Sequence, residues 1–163
     1  MNKTILSIAI LFSTLLLQSQ VVETTIYYST NWKVTRNCDP AYKKVGKIDV
    51  GLQKFVEGFS IFSDDSILIC KGSYDKEGKK DGRFSKYFPG GNLEYEGKYA
   101  NGNRQGDWVF NYANGKQEAI VEFTGDDFTV KEFKGKNGKY LLKKGNGSFE
   151  FKLENLGIDG SIS

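Results

Sequence analysis

The chain has 163 residues, 39% of them hydrophobic, and a net charge of +3 made of nearly balanced, interspersed acids and bases. That is enough for one domain with a modest core, and so small and mixed a charge gives no ground for a nucleic-acid partner. There is no histidine, which removes the commonest general base and the commonest metal ligand. We find no catalytic constellation, no cofactor site and no metal site, and the chain reads as non-enzymatic. Nineteen glycines against two prolines, with 14% aromatics, fit strands and turns better than helices.

Met1 to Gln20 reads as a targeting segment. Lys3 gives a positive start and Ile5 to Leu17 is an uncharged apolar run, short for a membrane span and about right for a signal-peptide core. Residues 1–19 are assigned as the signal peptide, with Ser19 before the cut and Gln20 as the new N-terminus. Bulky Leu17 stands three positions from that cut, and an uncleaved anchor is the alternative. Export to the periplasm, the cell surface or the medium is expected.

Residues 20–57 read as an N-terminal cap of two or three strands, needed because an end repeat otherwise leaves an apolar face and an unpaired edge. Thr25 to Tyr28 is a predicted strand, Ser29 to Asn31 a turn, Trp32 to Thr35 a second strand and Asn37 to Pro40 a loop. Tyr42 to Val50 alternates weakly between apolar and polar residues.

From Gly58 to Asp127 one pattern recurs. At an offset of 24 residues Gly82 meets Gly106, Phe84 meets Trp108, Phe88 meets Tyr112, Gly91 meets Gly115, Glu94 meets Glu118 and Tyr99 meets Phe123. At an offset of 25, Phe59 falls on Phe84, Leu68 on Leu93, Gly72 on Gly97 and Tyr74 on Tyr99. Repeats are placed at 58–81, 82–105 and 106–127, with a degenerate copy over 128–156. Such a period marks units that bury their apolar faces only by stacking. Lys139 to Lys144 and Ser148 to Leu153 are read as a last hairpin joined by Gly145-Asn146-Gly147. Residues 157–163 are read as a tail.

Turns fall at Gly91, Gly102, Gly115 and Gly138, three of them in Asn-Gly dipeptides that tolerate positive φ. Between turns the period is two. One face is predicted to carry Phe84, Phe88, Leu93, Tyr95, Tyr99, Trp108, Phe110, Tyr112, Ala119, Val121 and Phe123. The other carries Arg83, Ser85, Glu94, Glu96, Lys98, Asp107, Asn111, Lys116, Glu118 and Glu122. Pairing across Asn101-Gly102 sets Gly97 opposite Trp108, so that a ring covers a residue without a side chain. The expected fold is all-β, an elongated single-layer antiparallel sheet of repeated β-hairpins.

The pattern G-x-[FW]…[FY]-x-x-x-G-x-L-x-x-x-G-x-Y-x-x-G resembles MORN repeats of the bacterial MORN-variant type, similar to the YwqK-like antitoxin components of toxin–antitoxin modules. The resemblance covers Gly58 to Asp127 well and Phe128 to Leu153 poorly. It implies a curved sheet of successive hairpins and an antitoxin-like or immunity-like role.

Cys38 and Cys70 are the only cysteines. After export a disulfide between them can persist, but Cys70 aligns with core-facing Tyr95, where a free thiol packs as a small hydrophobe; both readings stay open. Asp64-Asp65 and Asp126-Asp127 lack the spacing of a calcium loop and read as solvated loop acids. Glu94, Glu96, Glu118 and Glu122 read as cross-strand charge partners, with a hydrolytic carboxylate pair as the least favoured reading. Lys71, Lys76, Lys79, Lys80, Arg83 and Lys86 form one basic run, and Lys131, Lys134, Lys136, Lys139, Lys143 and Lys144 another. Both read as solubility and edge protection, with contact to an anionic membrane surface as the alternative.

The expected function is therefore a protein-binding or scaffolding module with another protein as partner, recognised through one face or an end strand. The leader reading makes a direct prediction: mass spectrometry of the extracytoplasmic fraction finds a chain beginning near Gln20, whereas a full-length cytoplasmic chain overturns export.

Overall fold

The structure, a computed structural model, describes residues 20–34, 41–125, 127–143, 149–153 and 158–162. The predicted signal peptide, the Asn37 to Pro40 loop, the Gly145 to Gly147 turn, Cys38 and Asp126 lie outside the described residues.

Ten strands follow one another: β1 Val21–Tyr28, β2 Tyr42–Asp49, β3 Lys54–Ser63, β4 Leu68–Tyr74, β5 Gly82–Tyr87, β6 Leu93–Ala100, β7 Asn103–Asn111, β8 Gln117–Thr124, β9 Asp127–Lys134 and β10 Tyr140–Lys143. Each pairs antiparallel with its sequence neighbours in one open sheet, whose edges are β1 and β10. No helix occurs among the described residues. The all-β expectation holds as an open sheet of successive hairpins.

Two turn designs alternate. In the β5–β6 hairpin Phe88 N–H donates to the Asn92 carbonyl and Gly91 N–H to the Phe88 carbonyl, and Tyr112, Gly115 and Lys116 repeat this between β7 and β8. Gly91 and Gly115 sit at φ 84° and 80°, closing a type I turn with a left-handed residue. Between β6 and β7, Asn101 and Gly102 both have positive φ, 51° and 89°, the two-residue type I′ turn whose twist matches its strands.

One feature recurs that the alternation of the sequence conceals. In the β3–β4, β5–β6, β7–β8 and β9–β10 hairpins the pairing skips one residue at equivalent positions: Ile69, Glu94, Glu118 and Leu141. Each is a β-bulge, in which two residues of one strand face one of its partner. A bulge shifts the alternation by one step, and this corrects the predicted faces. Leu93 was expected beside Tyr95 on the core side; its partner is Tyr87 while Tyr95 faces Lys86, so Leu93 lies on the opposite face. Glu94 was expected on the charged outer face; it is buried, 5% exposed, and reaches Lys86 Nζ at 3.0 Å. Glu118 holds the same place one repeat later, half-buried and hydrogen-bonded to Tyr112.

Other expectations change at the ends. Of the strand expected at Trp32 to Thr35, Thr35 lies outside the described residues; Trp32 turns at φ 60°, and among the described residues Val34 makes a single bridge back to Tyr28. β10 closes on β9 rather than on Phe149 to Leu153. That segment is β11 (Phe149–Leu153), paired with β12 (Ile158–Ile162) in a separate two-stranded sheet. The predicted tail thus contains a strand, because Ile158 and Ile162 stand opposite Leu153 and Phe149.

The inner face holds a core of Phe59, Phe84, Tyr95, Trp108, Phe110, Ala119, Val121, Phe123, Val130, Phe133 and Leu142. Phe88, Tyr99 and Tyr112 are half-buried at its borders. Trp108 is completely buried although no second layer covers it among the described residues. Its indole lies on the backbone of Gly97, where any Cβ would overlap the ring, and its Nε1–H donates to the Lys98 carbonyl at 3.2 Å. Phe84 occupies Gly72 in the same way. Ring then follows ring along the sheet, Phe59 to Phe84 at 6.3 Å and Phe84 to Trp108 at 6.4 Å between centroids.

Deleting the buried indole in Trp108→Ala is expected to cost about 3–5 kcal/mol in a denaturant melt. Lys98→Ala, exposed on the other face, is expected to stay within about 0.5 kcal/mol. Equal losses in the two variants would reverse the assignment of faces.

Candidate functional site

Each repeat contributes one ring from the start of its hairpin and one from the returning strand, and a cation lies over each couple. Phe59 and Tyr74 stack at 4.7 Å, Phe84 and Tyr99 meet edge to face at 5.6 Å, and Trp108 and Phe123 at 6.0 Å. Lys80 Nζ lies 4.9 Å from both Phe84 and Tyr99. The Arg104 guanidinium lies 5.0 and 5.2 Å from Trp108 and Phe123. Both cations precede their hairpin ring by four residues, in Lys80-Asp81-Gly82-Arg83-Phe84 and Arg104-Gln105-Gly106-Asp107-Trp108. Gly82 and Gly106 each take positive φ between cation and ring, 86° and 66°. This recurrence is present at the 24-residue offset, where Lys80 meets Arg104; Lys80 was expected as one of a solvated basic run, and Arg104 was not singled out.

The first couple takes its cation from β2. Lys44 is 8% exposed, with Nζ 3.7 Å from the Phe55 ring and 4.7 Å from Phe59 and Tyr74. It donates to the Tyr74 hydroxyl at 3.0 Å. Burial pushes its ammonium down to about 8, while ring faces at these distances stabilise the charged form. Burial likewise pushes the Tyr74 phenol up to about 12 and raises the Cys70 thiol, against the pull of Lys80, Lys44 and Lys86. Cys70 is half-buried at the inner face and has no disulfide partner among the described residues; its proposed partner Cys38 lies outside them.

The remaining charged residues singled out by sequence are largely engaged within the fold. Glu96 pairs with Arg83 at 2.7 Å, and Lys131 bridges Asp107 at 2.7 Å and Glu122 at 3.2 Å. These are cross-strand pairs on the outer face, and the four glutamates are not gathered in one cleft. The basic runs are divided in the same way. Lys80 and Lys86 are held by rings and by Glu94, and Lys134 and Lys143 lie over Tyr140. Lys71, Lys76, Lys79, Lys136 and Lys139 stay exposed, and Lys144 lies outside the described residues. Asp64 and Asp65 sit in the β3–β4 turn, where the Asp64 side chain accepts the Asp65 N–H.

The two edges of the sheet differ. β10 is four residues long, is bulged at Leu141, ends on Lys143 and is preceded by Lys139. Short length, bulges and lysine are the devices that keep an edge from pairing. β1 reads VVETTIYY over eight residues, pairs with β2 in unbroken register, and contains one charge and neither proline nor lysine. Among the described residues, Tyr28 at its C-terminal end meets a partner on the outer side, the bridge to Val34. Thr25 to Tyr28, half of this strand, was expected within a cap over an edge; the structure makes β1 the edge.

No protein-family model, no curated protein and no solved structure matches the chain.

Lys44 predicts a pH dependence. The folded chain releases this proton near 8 and the unfolded chain near 10.5, so stability rises as the pH climbs from about 8. Above about 10 the buried tyrosines oppose it, since their protonated form is the folded one. Lys44→Met is expected to remove about 1 kcal/mol of that gain between about pH 8 and about pH 9.5, read as melting temperature against pH. Identical profiles for the two chains would show that Lys44 titrates alike folded and unfolded.

Proposed function

We propose that this is an exported, non-enzymatic MORN-variant-like module that binds protein by accepting a strand from another polypeptide along β1. The observation that carries the proposal is the contrast between a long, straight, nearly uncharged β1 edge and a short, bulged, lysine-flanked β10 edge. An added strand takes its affinity from main-chain hydrogen bonds and its selectivity from alternate side chains. The aromatic ladder and its cations form the rigid support behind that edge. Export and an antitoxin-like role rest on the leader pattern and on the repeat resemblance. Anionic-lipid binding through the basic turns is weaker, because Lys80, Lys86, Lys131, Lys134 and Lys143 have partners within the chain.

The test places a photo-crosslinking residue at Tyr27 on β1 or at Leu141 on β10, both exposed. The expected result is capture of a polypeptide from Tyr27 alone, abolished by Thr25→Pro, because proline removes an edge donor without entering the β1–β2 ladder. Capture that is equal at both positions, or unchanged by Thr25→Pro, would overturn strand addition at β1.

A further inference from the structure

We propose that the outer face of the first repeat holds a groove for a small carboxylate ligand, centred on Lys71 and Ser85. It is separate from strand addition at β1 and does not rest on it.

The outer face is where the first two repeats differ in charge. In the second repeat Arg83 on β5 and Glu96 on β6 form an ion pair at 2.7 Å. At the 25-residue offset Gly58 stands where that repeat has Arg83, and Lys71 where it has Glu96. The first repeat therefore lacks the guanidinium and carries an ammonium in place of the carboxylate. The space left is a groove of about 360 Å³, lined by Gly58, Ser60, Lys71, Ser73, Arg83 and Ser85. Gly58 leaves it open, because a Cβ there would meet only the Gly72 carbonyl at 3.9 Å. All of these residues fall within the continuous described stretch 41–125.

The charge in this groove has one sign. A neighbouring hollow at Gly97 mixes Arg83 and Lys98 with Glu96 and Asp107, and another beside Ile120 sets Lys131 against Asp107 and Glu132. Lys71 and Arg83 are the charged side chains lining the groove of the first repeat. Arg83 holds Glu96 through Nε and Nη2, which leaves Nη1 for another acceptor. Lys71 is exposed, and its ammonium has no carboxylate partner among the described residues; the Tyr87 ring lies 6.0 Å away.

Ser85 is an independent sign of a ligand. Ser60, Lys71 and Ser85 form one cross-strand row, so a hydroxyl stands on either side of the lysine. Ser85 is 3% exposed and lines the groove, yet its hydroxyl has no hydrogen-bond partner among the described residues. Buried hydroxyls are ordinarily hydrogen-bonded. The second repeat indicates what belongs there, since a carboxylate, that of Glu96, fills the equivalent place. A ligand carboxylate beside Lys71 regains the missing ion pair and accepts the hydrogen bonds that Ser85 and Ser60 can donate.

The test follows the backbone amides of the whole chain by NMR as acetate is added at constant ionic strength. Saturable shifts centred on Lys71, Gly72 and Ser85 are expected. Lys71→Glu restores the acid of the second repeat and is expected to weaken binding at least about tenfold, and Ser85→Ala about fivefold. Lys136→Glu makes the same change of net charge at an exposed turn and is expected to leave the affinity within about twofold. Equal losses in Lys71→Glu and Lys136→Glu, or shifts reproduced by chloride, would reduce the effect to general charge and overturn the proposal. Binding unchanged in Ser85→Ala overturns it as well, and binding of inorganic phosphate with acetate inert overturns the carboxylate assignment.

Discussion

The sheet depends on a large ring lying against a glycine of the neighbouring strand. A single-layer sheet has no opposing layer to cover its apolar face, so burial has to come from that face alone. Setting Trp108 down on Gly97 and Phe84 on Gly72 lets each ring lie along the sheet, where the next rings cover it. That is how Trp108 reaches full burial. Phe59, Phe84 and Trp108 form a continuous row because the glycine and the ring recur at nearly the same spacing.

The cations complete this arrangement at its border. Lys44, Lys80 and Arg104 set their charged ends over ring couples, with electrostatic attraction to the ring faces. The Arg104 Nε is buried without a hydrogen-bond partner, consistent with a planar guanidinium held over Trp108 and Phe123. At the Glu94 bulge the same logic uses an acid: Glu94 turns inward to Lys86, whose Nζ also lies 5.5 Å from the Tyr95 ring. A buried pair of this kind adds little net stability, but it favours the one register that brings both charges together.

Much of the fold was legible. The offset of 24 located the hairpins from β5 to β8, and the period of two placed Phe84, Tyr95, Trp108, Phe110 and Phe123 on one face. The packing of Trp108 on Gly97 was expected, but the turn length alone would set Gly97 opposite Gly106; a register shift between Glu96 and Lys98 is what brings Trp108 beside it. Leu93 and Glu94 were misplaced because a bulge inserts a step into the alternation without leaving a glycine or proline to mark it. The end hairpins went wrong for another reason. Gly145-Asn146-Gly147 has the composition of a tight turn, and composition does not say which strands a turn joins. At β1 the run Val21 to Thr24 was passed over because it abuts the leader, so the unguarded edge did not emerge from sequence.

The unbroken order of strands bears on how the molecule comes into being. Every strand of the main sheet finds its partners immediately before and after it in the chain, so no step waits for a remote segment and each loop closed is short. All-β proteins are generally slow to fold because their pairings are non-local; a meander escapes that penalty. Hairpins form in about 1–10 μs, far faster than synthesis delivers residues. The protein can therefore commit to structure one hairpin at a time, in the order in which its segments emerge.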